Sequence, residues 1–388
     1  MKILIFAALY HPFKGGYTES IHELAKRLVL NGHTITIVTC NTLTIHASET
    51  INGVEVIRLP CINPSWLNKT FPIPLPTPRT FILIRKVFRQ KPDIISTQTR
   101  FFPTSWLGFF IGKFLHIPVV HTERGATHSI ASSRIVSWLG TFVDHTLGSM
   151  LARFSNATIA VSEASCQFLK HLGTKNPVKI YNGVDVEFWK KPVGFMANET
   201  RQFRAITFVG RLIYAKGVQD LFYAVAELKK QDSAESTNLI VNIVGDGAYR
   251  STLEILAKKL SLNDTVRFLG EMTKEQIRDI LWQTDLFVNP SHSEGLPRSV
   301  LEAAAAGCPI IATDIGGTRE IIDENHGILV AIHNSEGLAQ AIKRFVADMP
   351  MRNGSSKNAQ TYVHTHFDWD MITKQYIKLF TQYVRDNR

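Results

Sequence analysis

Two glutamates eight positions apart bound the segment Ser293-Glu294-Gly295-Leu296-Pro297-Arg298-Ser299-Val300-Leu301-Glu302-Ala303. A polar strand end, Val288-Asn289-Pro290-Ser291, comes just before it. Pro297 suits the first turn of a helix, where its missing N–H costs nothing. That helix is expected over 298–306, stopping at Gly307 as a C-cap. Glu294 then lies on the loop at a helix N-terminus, and Glu302 lies one to two turns inside. A helix N-terminus offers N–H groups and a partial positive charge, which together suit an anion. Glu302, when ionised, only accepts hydrogen bonds and could take a vicinal diol. Anion plus diol are the parts of a nucleotide sugar. A lone glutamate pair would not decide this, because the helix dipole alone favours Glu at a helix start.

Other segments add cations and close-approach loops. Phe208-Val209-Gly210-Arg211-Leu212-Ile213-Tyr214-Ala215-Lys216-Gly217 leaves a strand and enters a helix. Arg211 and Lys216 are thereby placed at the C-terminal edge of a parallel sheet, where doubly wound folds bind ligands. Arg grips phosphate bidentately and Lys adds a mobile charge. Val244-Gly245-Asp246-Gly247-Ala248 is a second strand-to-helix turn, but it fails as a dinucleotide fingerprint because Arg250 stands where the third glycine belongs. Pro12-Phe13-Lys14-Gly15-Gly16-Tyr17 is a glycine loop whose backbone could approach a sugar or phosphate oxygen. Asp368-Trp369-Asp370 spells a possible metal motif, but it opens a helix where Asp serves as N-cap. The histidines show no ligand spacing along the chain, and no metal or other cofactor is expected.

The elements that must position these residues alternate from end to end. Strands are expected over 2–8, 34–40, 54–59, 93–97, 118–122 and 157–162, and again over 205–209, 239–244, 266–269, 286–289 and 309–313. Ile21, Leu24, Ala25, Leu28 and Val29 mark a first helix at helical spacing. The alternation predicts an α/β chain with parallel sheets covered on both faces, in two Rossmann-like, doubly wound domains. Residues 60–78 hold six prolines and are expected to be an irregular, functional loop. Residues 190–202 carry Pro192, Gly194 and Asn198 and look like a linker. The expected domains are 1–188 and 189–367, followed by a last helix over 368–388.

Of the 388 residues, 45% are hydrophobic and 20% charged, ordinary for a globular protein. The net charge of +10 is uneven: residues 1–190 hold 20 Lys+Arg against 10 Asp+Glu, and the remainder holds 23 against 23. Nucleic acid is not expected as a partner, because no recognition motif of that class appears. The basic residues interleave with the apolar runs 81–89 and 101–110, a combination suited to an anionic membrane surface. Core helices with solvated Lys and Arg remain the other reading. The four cysteines are scattered and are read as free thiols in a reducing compartment. The N-terminal apolar run is short and is read as a strand rather than a signal segment. No uncharged apolar run reaches spanning length. The expectation is a cytoplasmic protein, peripheral on the inner face of the plasma membrane.

The block from Glu294 through Gly307-Cys308-Pro309 to Ile315-Gly316-Gly317 resembles the nucleotide-sugar site of retaining glycosyltransferases of family 4. The resemblance implies the GT-B architecture, two domains facing a central cleft, with the last helix crossing back to the first domain. It implies transfer of a sugar, with retention, from a UDP- or GDP-linked donor to a lipid-linked sugar or a growing cell-envelope glycan. By resemblance Arg211 and Lys216 hold the diphosphate, Glu294 positions the donor sugar and Glu302 the ribose. Gly15, Gly16, Gly210, Gly245, Gly247, Met272, Gly295, Leu296, Pro297 and Ser299 complete the donor site. Many family members carry a His where this chain has Arg124. Arg cannot act as a base but could still bind a sugar hydroxyl or a phosphate. A UDP-sugar 2-epimerase and a non-catalytic nucleotide-sugar-binding protein share the architecture and stay open at this point.

Overall fold

A computed structural model describes residues 1–13, 15–63, 71–128, 134–192, 194–195, 204–230 and 239–386. The chain divides into two units, Met1–Gly183 with Trp369–Arg388, and Val184–Asp368.

The first unit runs β1 (Lys2–Phe6), α1 (Gly16–Leu30), β2 (Thr34–Cys40), β3 (Ser48–Ile51), β4 (Val54–Leu59), β5 (Cys61–Ile62), β6 (Ile73–Pro74) and α2 (Pro78–Arg89). It continues through β7 (Ile94–Gln98), α3 (Pro103–Phe114), β8 (Val119–Glu123), α4 (Arg134–Val143), α5 (Ser149–Phe154), β9 (Ala157–Ala160), α6 (Glu163–His171) and β10 (Val178–Lys179). Its main sheet has the order β10-β9-β8-β7-β1-β2-β4-β3. All neighbours are parallel except β3 against β4. The central strands are buried on both faces: β7 and β8 have no residue that is not buried. That is why they do not alternate apolar and polar residues: each opens on two apolar residues and ends on three polar ones.

The second unit runs α7 (Val186–Trp189), β11 (Arg204–Val209), α8 (Val218–Lys230), β12 (Leu239–Val244), α9 (Arg250–Lys259), β13 (Val266–Gly270), α10 (Lys274–Leu281) and β14 (Leu286–Asn289). Then come α11 (Arg298–Ala305), β15 (Ile310–Thr313), β16 (Ile328–Val330), α12 (Ser335–Ala347) and α13 (Met349–His366). Its six strands are all parallel in the order β13-β12-β11-β14-β15-β16. In chain order this is 3-2-1-4-5-6, the doubly wound arrangement, and its switch point lies between β11 and β14. The last helix, α14 (Trp369–Asp386), belongs to the first unit. Ile372, Tyr376, Leu379, Phe380 and Val384 recur on one face of it and join the core of Ile3, Ile5, Leu24 and Leu28. Each such buried side chain contributes about 1.5–3 kcal/mol.

Three expectations need correction. The proline-rich stretch is not wholly irregular, for Cys61–Ile62 pairs antiparallel with Ile73–Pro74 and α2 starts at Pro78. Proline fits a two-residue edge pairing because only its N–H is missing there. Pro297, read as suiting the first turn, is instead the N-cap of α11, which starts at Arg298 as expected. Finally, β3, β10 and β16 were not expected. They are short strands with few fully buried residues, so periodicity had little to register. Residues 64–70 of the proline-rich stretch, Lys14, and 193 and 196–202 of the expected linker lie outside the described residues.

Candidate functional site

β11 and β14 are neighbours in the sheet, with Ile206 opposite Leu286 and Thr207 opposite Phe287. The loops leaving their C-terminal ends therefore emerge side by side at the switch point. From the β14 loop comes Glu294, from the β11 loop Lys216, and Lys216 Nζ reaches Glu294 Oε1 at 2.5 Å. These residues stand 78 positions apart in sequence. The pair keeps 20% and 11% of its side-chain surface, so water and a ligand can reach it. Ser291 Oγ lies 2.8 Å from Glu294 Oε1 and 2.7 Å from Asn289 Oδ1, fixing the carboxylate to the strand end. Thr313 Oγ1 donates to Ser291 O from the end of β15.

Two glycines let these loops meet. Gly217 has φ +65°, and a Cβ there would lie 1.8 Å from Pro290 O. Gly316 has φ +46°, and a Cβ there would lie 2.0 Å from Glu294 O. A left-handed φ disfavours any other residue, and the contact leaves no room for one. Gly317 N donates to Gly295 O at 2.8 Å, so the Gly-Gly turn also braces the Glu294 loop.

Arg211, in the same loop as Lys216, is exposed and forms no ion pair among the described residues. It remains available to an incoming anion. Leu296 and Pro297 are buried beneath the start of α11, while Gly295 and Ser299 are partly open. Glu302 is partly buried, and one of its oxygens is already taken: Arg298 Nη2 donates to Oε1 at 2.9 Å. Gly210, Gly245 and Gly247 gather where β11 and β12 end, and a Cβ on Gly245 would lie 2.0 Å from Gly210 O. Gly245 N also donates to Gly270 O at 2.7 Å. Met272 follows β13, the edge strand, two strands from β11, and no described contact joins it to the Lys216–Glu294 pair.

Sequence reasoning missed Ser291 and the pair His292–Asp220, whose Nε2 and Oδ2 are 2.7 Å apart. Asp220 lies in the first turn of α8, directly after Lys216-Gly217, so this contact is a second clamp between the same two loops. The Ser-x-x-Glu spacing at 291–294 was the only signal for the first of these.

In the first unit the switch point lies between β1 and β7. Gly15 is the N-cap of α1 with no side-chain capping bond, and Gly16 is its first residue. Tyr17 folds back so that its Oη donates to Gln98 O at 3.3 Å and accepts from Ala8 N at 3.2 Å. Burial pushes the Tyr17 phenol well above its ordinary range. Arg124 follows β8; its guanidinium donates to Asn182 Oδ1 and, at 3.1 Å, to Gln98 Oε1. It is thus oriented by two side-chain amides. Beside it, burial tends to raise the Glu123 carboxyl, but Arg100, His121 and the Gly125 N–H hold it down at about 2. No described helix is long and apolar enough to cross a membrane.

Two family descriptions match the chain: "Glycosyltransferase Family 4" over residues 14–188 and "Glycosyl transferases group 1" over residues 196–362. Among curated relatives, a glycosyltransferase of Methanocaldococcus jannaschii is 27% identical, covering 99% of this chain and 99% of its own length. A glycogen synthase of Mycobacterium tuberculosis is 26% identical, covering 100% of this chain and 96% of its own length. The solved structure of Anabaena HepE in complex with UDP-glucose superposes with a TM-score of 0.76 at 21% identity, over 98% of this chain and 100% of that one. The chain therefore belongs to the group 1, family 4-type glycosyltransferases and is a transferase with the GT-B fold.

Proposed function

We propose that the protein transfers a sugar, with retention of anomeric configuration, from a nucleoside diphosphate donor to a lipid-linked acceptor at an anionic membrane surface. The observation that carries the donor half is the meeting of Lys216 and Glu294 at the switch point, with Arg211 exposed on the same loop. Breaking the glycosidic bond places charge on the leaving diphosphate. Arg211, Lys216 and the first turn of α11 supply preorganised positive potential for it. Glu294, already aligned by Ser291, takes the sugar hydroxyls, and Glu302 the ribose diol. The acceptor hydroxyl attacks on the face the diphosphate leaves and gives its proton to the departing phosphate oxygen, so no protein nucleophile enters. The bound UDP-glucose of the HepE structure is the kind of donor this site suits.

The acceptor half rests on the surface of the first unit. On α2, Phe81 and Ile82 are 65% and 68% exposed, and Arg85, Lys86 and Arg89 are exposed after them. Residues four apart share a helix face, so Phe81 lies in line with Arg85 and Ile82 with Lys86. Phe114 of α3 and Trp138 of α4 are 82% and 66% exposed. Apolar rings beside cations suit a headgroup region, where each cation contributes on the order of 1 kcal/mol near an anionic surface. The run 101–110 is mostly covered and adds little: Phe109 is buried, and only Phe110 is exposed among its rings.

Liposome co-sedimentation tests the acceptor half. Wild type should bind anionic vesicles, release as salt rises, and bind poorly when Arg85, Lys86 and Arg89 are all changed to Ser. Binding indifferent to lipid charge would return the acceptor to a soluble glycan or a small molecule. Turnover of a donor without any acceptor would instead favour an epimerase.

A further inference from the structure

Outside the Lys216–Glu294 region, three histidines from three separate segments come together in the first unit. His128 follows β8, His145 lies in a single π-helical turn at Asp144–Gly148, and His171 ends α6. One nitrogen from each lies within 4.8 Å of the others. Their ring centroids stand 5.2 Å (128–145), 5.3 Å (145–171) and 5.7 Å (128–171) apart. Around a tetrahedral zinc with Zn–N near 2 Å, two imidazole centroids stand about 5 Å apart. The second grouping, Asp220, His292 and His333, fails that comparison, because its two rings are 3.9 Å apart and His292 Nε2 is engaged by Asp220.

An independent observation points the same way. His128 Nδ1 donates to Asp144 Oδ2 at 2.7 Å, and Asp144 is fully buried. A carboxylate on one ring nitrogen fixes the tautomer and leaves Nε2 as a lone-pair donor, the usual support of a metal-binding histidine. Asp144 is itself held by Arg100, whose Nε lies 2.8 Å from Oδ1. Arg100 Nη2 also binds Thr127 O at 2.8 Å, steadying the residue before His128. The π turn places Asp144 inward and His145 outward, and such turns recur at functional sites.

We propose that His128, His145 and His171 bind a zinc ion, with water or an external ligand in the fourth position. Rotation of the two exposed rings, His145 and His171, would bring the nitrogens to the ~3.3 Å spacing of a tetrahedral set. The ion would tie the segment after β8, which begins with Arg124, to the π turn and to α6. It takes no part in the transfer step proposed above.

The test uses the full chain, dialysed against chelator and titrated with zinc in competition with a chromophoric chelator. Cobalt replaces zinc in a parallel titration read by visible absorption. Wild type should take one zinc per chain and show the intense bands of tetrahedral cobalt. His145→Ala and His171→Ala change exposed residues and should fold. Each should bind zinc at least ~10-fold more weakly, the size of effect seen even for partners behind the ligands. No stoichiometric zinc in wild type would overturn the proposal. So would unchanged affinity in either variant, or affinity lost only in His333→Ala.

Discussion

Arg100 lies between Glu123 and Asp144 with all three side chains no more than 1% exposed, whereas Lys216 and Glu294 keep 20% and 11% of their surfaces. Both are cation–carboxylate contacts at the ends of parallel strands, one in each unit. Arg100 is hemmed in further by the rings of Phe101 and Phe168, 3.9 and 4.2 Å from its guanidinium carbon. Its charges have already lost their water and can exchange partners with nothing outside. The half-buried pair can still trade its internal partner for a ligand's phosphate or hydroxyl. The difference teaches that burial, more than residue type, separates an ion cluster that holds a fold from one that can bind.

The largest effect should come from breaking the closed cluster. Arg100→Met takes the guanidinium from between two buried carboxylates, leaving Asp144 to His128 and Glu123 to His121 and the Gly125 N–H, and should lower unfolding free energy by about 3–5 kcal/mol in urea. A loss below ~1 kcal/mol would erase the distinction between the regions. The open pair should behave in the opposite way. Lys216→Ala and Arg211→Ala should each cost less stability than Arg100→Met, because neither side chain is fully buried, yet lower transfer about 100-fold. Near wild-type transfer in both variants would remove the diphosphate role.

A smaller effect sharpens the contrast through pH. The Glu123 carboxyl is depressed from 4.5 in the unfolded chain to about 2 in the fold, with burial opposing and Arg100 and His121 favouring the shift. A depressed carboxyl gives stability that is complete above the unfolded value and is lost as pH falls through the folded one. Wild type should therefore lose stability between pH 4.5 and about 2, and Arg100→Met should show a shallower acid slope over that window. Equal slopes would mean that Arg100 does not hold the proton off Glu123.

The sequence carried the fold well where strands are buried on both faces. The runs at 34–40, 54–59, 239–244 and 286–289 coincide with β2, β4, β12 and β14. Glu294, Arg211 and Lys216 were legible as loop residues after strands, because strand-to-helix turns in a parallel sheet share one edge. Their mutual geometry was not, since nothing in either loop shows that Lys216 and Glu294 touch across 78 positions. Glu302 was readable as a carboxylate one turn into a helix, but its Arg298 partner at i−4 received no weight. Arg100 and Asp144 gave no signal at all: each stands in a segment of ordinary composition, and only the packing of β7, the π turn and α6 buries them together. The three histidines were hidden for the same reason, being separated by whole elements. The exposed face of α2 was ambiguous because an apolar, basic helix has the same periodicity whether it meets a core or a bilayer.

The central claim is that the loops after β11 and β14 form a nucleoside diphosphate site. Calorimetric titration of wild type and Lys216→Ala with UDP, GDP and ADP tests it most directly. One of these nucleotides should bind wild type at one per chain and bind Lys216→Ala at least ~10-fold more weakly, a loss of about 1.4 kcal/mol. Failure of all three to bind wild type, or equal affinity for both proteins, would contradict it.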